Sequence, residues 1–391
     1  MMDIDDMEKM RSDLLRRIAD YLFAAYRWAC MDSPTGLEPK PLGLTIDMLE
    51  YQRCCHPVYA RYCEMHGRTE RGVSLLDYPP LPVEFFKRAD VSPFSQVQTI
   101  AEFHSSGTTT GDRSIHRFRD VGLLHRAIFF AFTIYVARIM SPRTRVFSLM
   151  PSYEDNPHSS LGYMLTQLVR TLGGEGSDFF FSMEDGLASD RLFEALRQAA
   201  RDEVPVHLLG PAFSYVELLD RLGDEKIASA PESCLFETGG YKGRTREIPK
   251  RELRDSLSAS LGIERRRIYG EYGMCELTSQ GYEICALNTR GELPDEGLFT
   301  FPVWMKCILY NPETMAPVLP GNCGQIALFD LCNLDSAGYI LTGDIGIMEP
   351  LSESLRARVP GHPKHALRLL GRAENAMPKG CSMSWEEWAG R

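Results

Sequence analysis

Between residues 145 and 270 the chain alternates short apolar runs with longer stretches of helical periodicity, and this alternation limits the fold more than any other feature. The apolar runs are RVFSLM (145–150), DFFFSM (178–183), VPVHLLG (204–210), SCLFETGG (233–240) and RRIYG (266–270). Such alternation predicts an α/β fold with a mostly parallel sheet sandwiched by helices. Ligands of these sheets bind where the carboxyl ends of the strands meet their loops.

The pattern changes after residue 295. The segment 303–331 contains two strand-like runs separated by Asn311-Pro312 and Pro320-Gly321, with no helical pattern between them. Turn chemistry between two apolar runs predicts an antiparallel β subdomain. We therefore expect four parts: an N-terminal helical segment (1–75), an α/β core (76–295), a small β subdomain (296–350) and a short C-terminal segment (351–391).

Charge and hydropathy exclude two classes of partner. The formal net charge is −10 and no basic block is present, so a nucleic-acid surface is not expected. The most apolar run, 127–140, is 14 residues long and contains Arg138, whereas a membrane span needs about 20 apolar residues. It predicts a buried helix and no membrane span.

The N-terminus and the cysteines bear on localisation. The acidic start MMDIDDMEKM lacks the positive charge of a signal peptide, and apolar residues recur there at helical spacing at Met10, Leu14, Ile18, Leu22 and Ala25. The 11 cysteines are scattered without a CxxC pair, which favours free core thiols in a reducing compartment. We expect a cytoplasmic protein that begins with a packed amphipathic helix.

One loop is unusually rich in hydroxyls and glycine. Within EFHSSGTTTGDRSIHRF (102–118), the loop residues are Ser105, Ser106, Gly107, Thr108, Thr109, Thr110 and Gly111. Backbone N–H groups of a Gly-rich turn, helped by hydroxyls, can form an anion nest that wraps phosphates. The Walker pattern is not met, because no Gly-Lys-Ser/Thr follows. A solvated connecting loop is the alternative.

Four short motifs together resemble the adenylate-forming superfamily. SSGTTTG is similar to its phosphate-binding signature, YGEYGMCE (269–276) to its Tyr-Gly-x-Thr-Glu motif, LTGD (341–344) to Thr-Gly-Asp and GRAE (371–374) to its Gly-Arg hinge. Cys275 occupies the threonine position. The motifs occur in the order that the superfamily has, so the resemblance implies its large-domain fold.

Further stretches narrow the resemblance to the acyl-protein synthetase (LuxE-type) family. They are PLPVEFFKRADVSPF (80–94), PSYEDNPHSSLGYM (151–164), ETGGYKGRTREIPKREL (237–253) and KGCSMS (379–384). The resemblance implies the adenylating core and β subdomain, followed by a truncated C-terminal segment in place of a full mobile domain.

The resemblance also implies roles for the matched residues. The loop 105–111 would hold the phosphates of ATP, and Glu276 would bind Mg²⁺ and take part in catalysis. Asp344 would accept the ribose hydroxyls, with Arg372 on the same sugar. The residues expected around adenine are Gly239, Gly240, Tyr272 and Gly273. A surface glutamate, an exposed aspartate and a plain strand-end turn are the respective alternatives.

A cysteine near the carboxyl terminus is the candidate acyl acceptor. In the family, a cysteine in a similar Gly-Cys-Ser setting receives the acyl group as a thioester, which implies this role for Cys381. Lys379 stands two positions before it and is a candidate catalytic residue, since a nearby cation can lower a thiol pKa. A free thiol in a frayed terminus is the alternative.

The sequence therefore predicts an ATP-dependent, acyl-adenylate-forming acid–thiol ligase. Its substrate would be a fatty or aromatic carboxylic acid, and the acyl group would pass to Cys381 and then to a partner protein. One alternative is a coenzyme A ligase or a carrier-protein ligase, in which only the acceptor differs. An alternative of another class is a non-catalytic nucleotide-binding scaffold subunit.

Overall fold

The structure is a computed structural model that describes residues 3–30, 41–105, 113–137, 140–239, 245–284 and 296–372. The chain forms two compact units. Unit 1 comprises Met1–Ala131, Met274–Gln280 and Phe299–Arg391, and unit 2 comprises Phe132–Gly273 and Gly281–Leu298. The four-part division expected from the sequence stays a prediction.

The helices occur mainly in the first two thirds of the chain. In chain order they are α1 (Ile4–Ala29), α2 (Leu42–Cys55), α3 (Pro57–Met65), α4 (Phe85–Arg88), α5 (Gly122–Tyr135), α6 (Ser160–Leu172), α7 (Ser189–Arg201), α8 (Ala212–Leu222), α9 (Lys250–Leu261) and α10 (Glu353–Arg356). Short 3₁₀ turns occur at Leu75–Asp77, Gln96–Gln98 and Arg265–Arg267.

The strands fall into a parallel group and an antiparallel group. In chain order they are β1 (Leu81–Pro82), β2 (Ala101–His104), β3 (Ile115–Phe118), β4 (Arg145–Ser148), β5 (Asp178–Phe179), β6 (Phe181–Ser182), β7 (Gly186–Leu187), β8 (Val206–Pro211), β9 (Cys234–Thr238), β10 (Ile268–Tyr272), β11 (Gly281–Glu283), β12 (Leu298–Thr300), β13 (Met305–Tyr310), β14 (Cys323–Asp330), β15 (Tyr339–Pro350) and β16 (His365–Arg372).

Unit 2 contains the parallel sheet that the alternating pattern predicts. Its strand order is β11-β10-β9-β8-β4-β5, and every pair from β10 to β5 is parallel. Strand β11 pairs antiparallel with β10, which the sequence did not predict. The predicted run 178–183 is divided between β5 and β6, because Phe180 between them is buried and its N–H bonds to the Ser148 carbonyl at 2.8 Å.

The core of unit 2 lies between one face of this sheet and helices α7, α8 and α9. Sheet residues Phe147, Leu208, Leu235 and Ile268 are fully or almost fully buried in it. The helices contribute leucines and aromatics at helical spacing: Leu192, Leu196, Tyr215, Leu218, Leu253 and Leu257. Removing apolar surface of this extent from water is the main stabilising contribution to the unit.

Unit 1 contains the antiparallel strands. Strands β13, β14, β15 and β16 form consecutive antiparallel pairs, and β1 adds to β15 in parallel. A separate hairpin joins β2 to β3. The antiparallel β subdomain expected from the turn chemistry is therefore confirmed as an architecture, and β16 extends the pairing beyond residue 350.

Helix α1 is the packed amphipathic helix that the N-terminal periodicity predicts. Leu14, Ile18, Leu22 and Ala25 are buried along one stripe. Arg11 lies on the same stripe, where its guanidinium donates to the Asp335 carboxylate at 2.6 Å. A paired arginine is therefore tolerated within a buried face.

The sequence predicts free thiols and no membrane span, and the described residues bear on both predictions. The structure describes nine cysteines, and each of the nine lies outside any disulfide. The apolar run at 127–140 contributes to α5, whose inner residues Ala127, Ile128 and Ala131 are buried. Within the described ranges, every helix lacks the length or the apolar character that crossing a membrane would require.

Candidate active site

The hydroxyl-rich loop is closed at its base by a hairpin in unit 1. Strands β2 and β3 pair from Ala101↔Phe118 to His104↔Ile115. Just beyond them, Ser105 N–H donates to the Ser114 carbonyl at 3.0 Å, and Ser114 N–H donates to Ser105 Oγ at 2.9 Å. Of the predicted phosphate-binding residues only Ser105 is described; Ser106, Gly107, Thr108, Thr109, Thr110 and Gly111 lie outside the described residues.

Ion pairs stabilise this hairpin on its outer side. Glu102 accepts from His104 Nε2 and from Arg117 Nε, each at 2.7 Å, and Arg117 also contacts Asp90 at 2.7 Å. Burial raises the pKa of Glu102, but the hydrogen bonds from His104 and Arg117 outweigh it and lower that pKa overall. Because both strands are cross-linked, the ends of the loop are held at a fixed separation.

Glu276 is buried in the segment 274–280 of unit 1. Its exposed fraction is 5%. Burial raises the pKa of Glu276, while the Ser114 hydroxyl, Lys87 and Arg372 favour its ionised form. The Ser114 hydroxyl lies near this carboxyl group without a hydrogen-bond partner of normal geometry among the described residues. A buried carboxylate beside a hydroxyl offers the oxygen ligands that a hard cation takes, so these residues fit Mg²⁺.

Two side chains, one at the end of β14 and one in the turn after it, hold this segment. Asn333 donates to the Glu276 carbonyl at 2.8 Å and accepts from Thr278 N–H at 2.8 Å. Asp330 accepts from the N–H groups of Thr278 and Ser279 at 3.1 and 2.7 Å. Buried polar groups that are fully bonded restrict the backbone to one conformation, so Asn333 fixes the Glu276 carbonyl directly and Asp330 fixes the backbone at Thr278 and Ser279.

A buried histidine connects the hairpin to the same segment. His116 on β3 donates its Nδ1–H to the Cys275 carbonyl at 2.9 Å. Burial lowers the pKa of His116 to about 4, so the ring stays neutral at physiological pH. This bond ties the strand that follows the predicted phosphate loop to the residue before Glu276.

Asp344 and Arg372 lie opposite each other on β15 and β16. They are registered partners in the antiparallel pair, and Arg372 Nε is 3.7 Å from Asp344 Oδ1. Asp344 N–H donates to Thr342 Oγ1 at 3.1 Å, and that hydroxyl in turn donates to the Ile326 carbonyl at 2.9 Å. The charge of Arg372 also favours the ionised form of Glu276, so this guanidinium acts on both carboxylates in unit 1.

The remaining described candidates lie in unit 2, at the carboxyl ends of neighbouring strands. Gly239 follows β9 with φ +62°, a conformation that favours glycine. Tyr272 ends β10 with 7% of its surface exposed, and Gly273 follows it. Both strand ends lie at the edge where parallel sheets bind ligands. Gly240, Lys379 and Cys381 lie outside the described residues.

Sequence reasoning did not identify four supporting residues: Ser114, His116, Asp330 and Asn333. Asp330 and Asn333 follow an apolar strand run, where polar residues are usually read as an ordinary turn. Their partners in the segment 274–280 lie at least 51 positions away in the sequence. No local pattern signals contacts at such a separation.

Solved structures of adenylate-forming ligases share this fold. A 2-hydroxyisobutyryl-CoA ligase in complex with 2-HIB-AMP and CoA, in the thioesterification state, aligns with TM-score 0.62 and 15% identity over 85% of this chain and 68% of that chain. An open conformation of the same ligase gives 0.60 and 14% over 85% and 74%. ATP-bound MatB from Rhodopseudomonas palustris gives 0.48 and 17% over 70% and 48%, so this chain spans about half of its length. The fold is that of an adenylate-forming ligase.

Sequence comparisons identify the family within the class of adenylate-forming ligases. A family profile described as acyl-protein synthetase, LuxE, matches residues 43–388, and the chain therefore belongs to the LuxE acyl-protein synthetase family. A long-chain-fatty-acid–luciferin-component ligase of Aliivibrio fischeri is 19% identical over 333 residues, which are 83% of this chain and 82% of that protein. The family and the fold expected from the short motifs are confirmed.

Proposed function

We propose that this protein activates a carboxylic acid with ATP as an acyl-adenylate and transfers the acyl group to a thiol. The observation that carries the proposal is the pair of Asp344 and Arg372, whose guanidinium also favours the ionised form of Glu276; the three residues come from separate motifs and belong to unit 1. Membership of the LuxE family supports the same reaction class.

Each group in the cluster has a chemistry suited to one part of ATP. The Asp344 carboxylate can accept hydrogen bonds from both ribose hydroxyls, and the Arg372 guanidinium can donate to the same sugar. Glu276, with Ser114 beside it, would hold Mg²⁺. When bound, Mg²⁺ supplies positive charge that neutralises the leaving pyrophosphate. The loop 105–111 would bind the phosphates through N–H and hydroxyl donors.

The first chemical step joins the acid to AMP. A carboxylate oxygen of the acid attacks the α-phosphorus of ATP, and the bond from that phosphorus to the bridging oxygen breaks. The electron pair leaves with pyrophosphate. Positioning and charge neutralisation supply most of the acceleration in such transfers, which is the role proposed for residues that contact phosphate and sugar.

The second step moves the acyl group to sulfur. A thiolate attacks the acyl carbon, a C–S bond forms, and the C–O bond to AMP breaks with release of AMP. We propose Cys381 as the thiol, with Lys379 lowering its pKa. The acyl group would then pass to a protein partner; coenzyme A is the alternative acceptor. A fatty or an aromatic carboxylic acid can be the substrate with either acceptor.

Intact-protein mass spectrometry tests the proposal. The protein is incubated with ATP, Mg²⁺ and a pool of fatty and aromatic acids, while AMP and pyrophosphate are quantified in the same reaction. We expect an acyl adduct, labile to hydroxylamine, on the peptide that contains Cys381. Cys381→Ser should abolish the adduct and leave pyrophosphate release intact. Cys323→Ser is the matched control, because Cys323 is an exposed thiol on β14.

The possible results separate the candidate functions. AMP and pyrophosphate without an adduct would assign the acyl group to coenzyme A or another external acceptor. Binding of ATP without release of either product, across a broad acid pool, would contradict the ligase and favour the nucleotide-binding scaffold.

A further inference from the structure

Three polar side chains lie on one face of the unit 2 sheet at the end of adjacent strands. Glu271 on β10 is registered with Thr238 on β9 and with Tyr282 on β11. Registered partners in neighbouring strands project to the same face of a sheet. This face is opposite the one that carries Phe147, Leu208, Leu235 and Ile268 into the main core of unit 2.

Glu271 differs from the other two carboxylates of these strands in that it lacks a cationic partner among the described residues. Glu237 on β9 and Glu283 on β11 are each paired with Arg254, at 2.8 and 2.9 Å. Glu271 accepts a hydrogen bond from the Thr238 hydroxyl, and no cation of the described chain pairs with it. Burial raises the pKa of Glu271 to about 7, and the Thr238 hydroxyl partly opposes this shift. A carboxyl group in this state can both donate and accept hydrogen bonds at neutral pH.

Tyr282 adds an unpaired hydroxyl to the same face. The residue is fully buried, and its hydroxyl has no hydrogen-bond partner in the part of the chain that the structure describes. Its ring stacks on Tyr135 at 5.6 Å and lies 6.3 Å from the rings of Phe132 and Phe236. Buried polar groups are nearly always bonded, so an orphan among aromatic rings indicates a missing partner.

The position of these three residues in the sheet bears on what that partner is. Thr238 directly precedes Gly239, and Glu271 directly precedes Tyr272, so the three side chains lie at the ligand-binding edge of the parallel strands. We propose that Thr238, Glu271 and Tyr282 form the specificity subsite for the acyl part of the acid. The inference rests on the proposed function. It assigns the substrate as an acid whose acyl part carries a hydrogen-bond donor, a hydroxyl or an amino group.

A purely apolar acyl group would leave the Tyr282 hydroxyl unpaired in the complex, and Glu271 would keep only its hydrogen bond from Thr238. Sites built to bond a polar substrate group discriminate strongly against the analogue that lacks it. We therefore expect a preference of at least about tenfold in kcat/KM for the hydroxylated or aminated acid over its parent.

The test compares matched acids: benzoate with hydroxybenzoates and aminobenzoates, and octanoate with hydroxyoctanoates and aminooctanoates. Pyrophosphate release gives kcat/KM, and calorimetry gives the affinity for each acid in the presence of a non-hydrolysable ATP analogue. The variants are Glu271→Leu, Glu271→Gln and Tyr282→Phe. Glu247→Gln is the control, since Glu247 is exposed in unit 2. Glu271→Gln preserves the shape of the side chain and serves if the leucine variant does not fold.

The subsite is supported if the wild type prefers the donor-bearing acids and the Glu271 and Tyr282 variants lose this preference with unchanged ATP affinity. An ammonium preference that Glu271→Gln abolishes would identify an ionised carboxylate. If the wild type used the parent acids as well as the donor-bearing acids, or if the variants kept the wild-type preference, the proposed subsite would be wrong. The proposed ligase function would be unaffected by either result. Selective binding of donor-bearing acids without pyrophosphate release would support the subsite and contradict the ligase.

Discussion

Arg372 Nε lies 3.7 Å from Asp344 Oδ1 across the antiparallel pair β15–β16, which is the distance of an ion pair rather than of a tight hydrogen bond. The Arg372 side chain is 83% exposed and that of Asp344 is 21% exposed. Ion pairs this open to water contribute little to stability, typically below about 1 kcal/mol. Any strong effect of changing Asp344 should therefore appear in ligand binding.

We expect Asp344→Ala to weaken ATP binding at least tenfold, about 1.4 kcal/mol, with a nearly unchanged melting temperature. The reason is the loss of the acceptor proposed for the ribose hydroxyls. Isothermal titration with ATP measures the change. Asp224→Ala, in an exposed turn, is the matched control. An unaltered affinity in Asp344→Ala would remove the ribose role.

Replacement of Glu276 should separate function from stability. Burial raises the pKa of Glu276, so its ionised form is costly to hold in the folded protein. Glu276→Gln keeps the shape and removes the charge. We expect an equal or higher melting temperature together with a loss of Mg²⁺-dependent pyrophosphate release of about 100-fold or more.

Thermal unfolding and a Mg²⁺ titration of activity are measured on the same Glu276→Gln preparation. A variant that retains activity with the wild-type Mg²⁺ requirement would show that Glu276 holds no metal.

Replacing Asn333 tests whether the fixed position of the Glu276 backbone matters for the use of Mg²⁺. The Asn333 side chain bonds the Glu276 and Ala337 carbonyls and the Thr278 N–H, all buried. Asn333→Ala removes the donor from both carbonyls and leaves the Thr278 N–H with only its longer bond to Asp330, which should cost about 2–4 kcal/mol of unfolding free energy. Because the Glu276 backbone is then less fixed, the Mg²⁺ concentration for half-maximal activity should rise. Asn322→Ala, at an exposed turn, is the control. A stability loss with an unchanged Mg²⁺ requirement would assign Asn333 a purely structural role.

The parallel strands were predictable because each is a continuous apolar run bounded by turn residues. The runs at 145–150, 204–210, 233–240 and 266–270 correspond to β4, β8, β9 and β10. Strand β11 has three residues, Gly281–Glu283, and its hydrogen bonding to β10 depends on tertiary contacts rather than on local pattern.

Some residues of the candidate site were likewise predictable from the sequence, and others were not. Glu276, Asp344 and Arg372 occur in short motifs that a single sequence displays. His116 and Asn333 act on the backbone of the Glu276 segment from distant positions, and a histidine or an asparagine next to a strand carries no mark of such a role. Contacts between remote segments arise from the folded topology, so local periodicity cannot reveal them.

Acid stability depends on Glu283 in unit 2. This residue is almost fully buried, bonds to Lys250 Nζ at 3.1 Å and accepts from the Gly270 and Gly297 N–H groups at 2.6 and 2.9 Å. Burial alone would raise the pKa of Glu283, but the charges of Lys250 and Arg254 outweigh it and hold that pKa at about 2. In the unfolded chain the pKa returns to its usual value of 4.5.

The direction in which the free energy of unfolding changes with pH follows from the order in which the two states bind a proton. As the pH falls below 4.5 the unfolded state takes up a proton before the folded state does, so Glu283 stabilises the fold above pH 4.5 and this contribution is lost toward pH 2. The loss is up to about 3 kcal/mol. Lys250→Gln removes one of the two cations and should reduce the difference in unfolding free energy between pH 5 and pH 3, measured by urea denaturation. Glu313→Gln, in an exposed turn, should leave that difference unchanged. If Lys250→Gln retains the full wild-type pH dependence, Lys250 does not set the ionisation of Glu283, and Arg254 with the two N–H groups accounts for it.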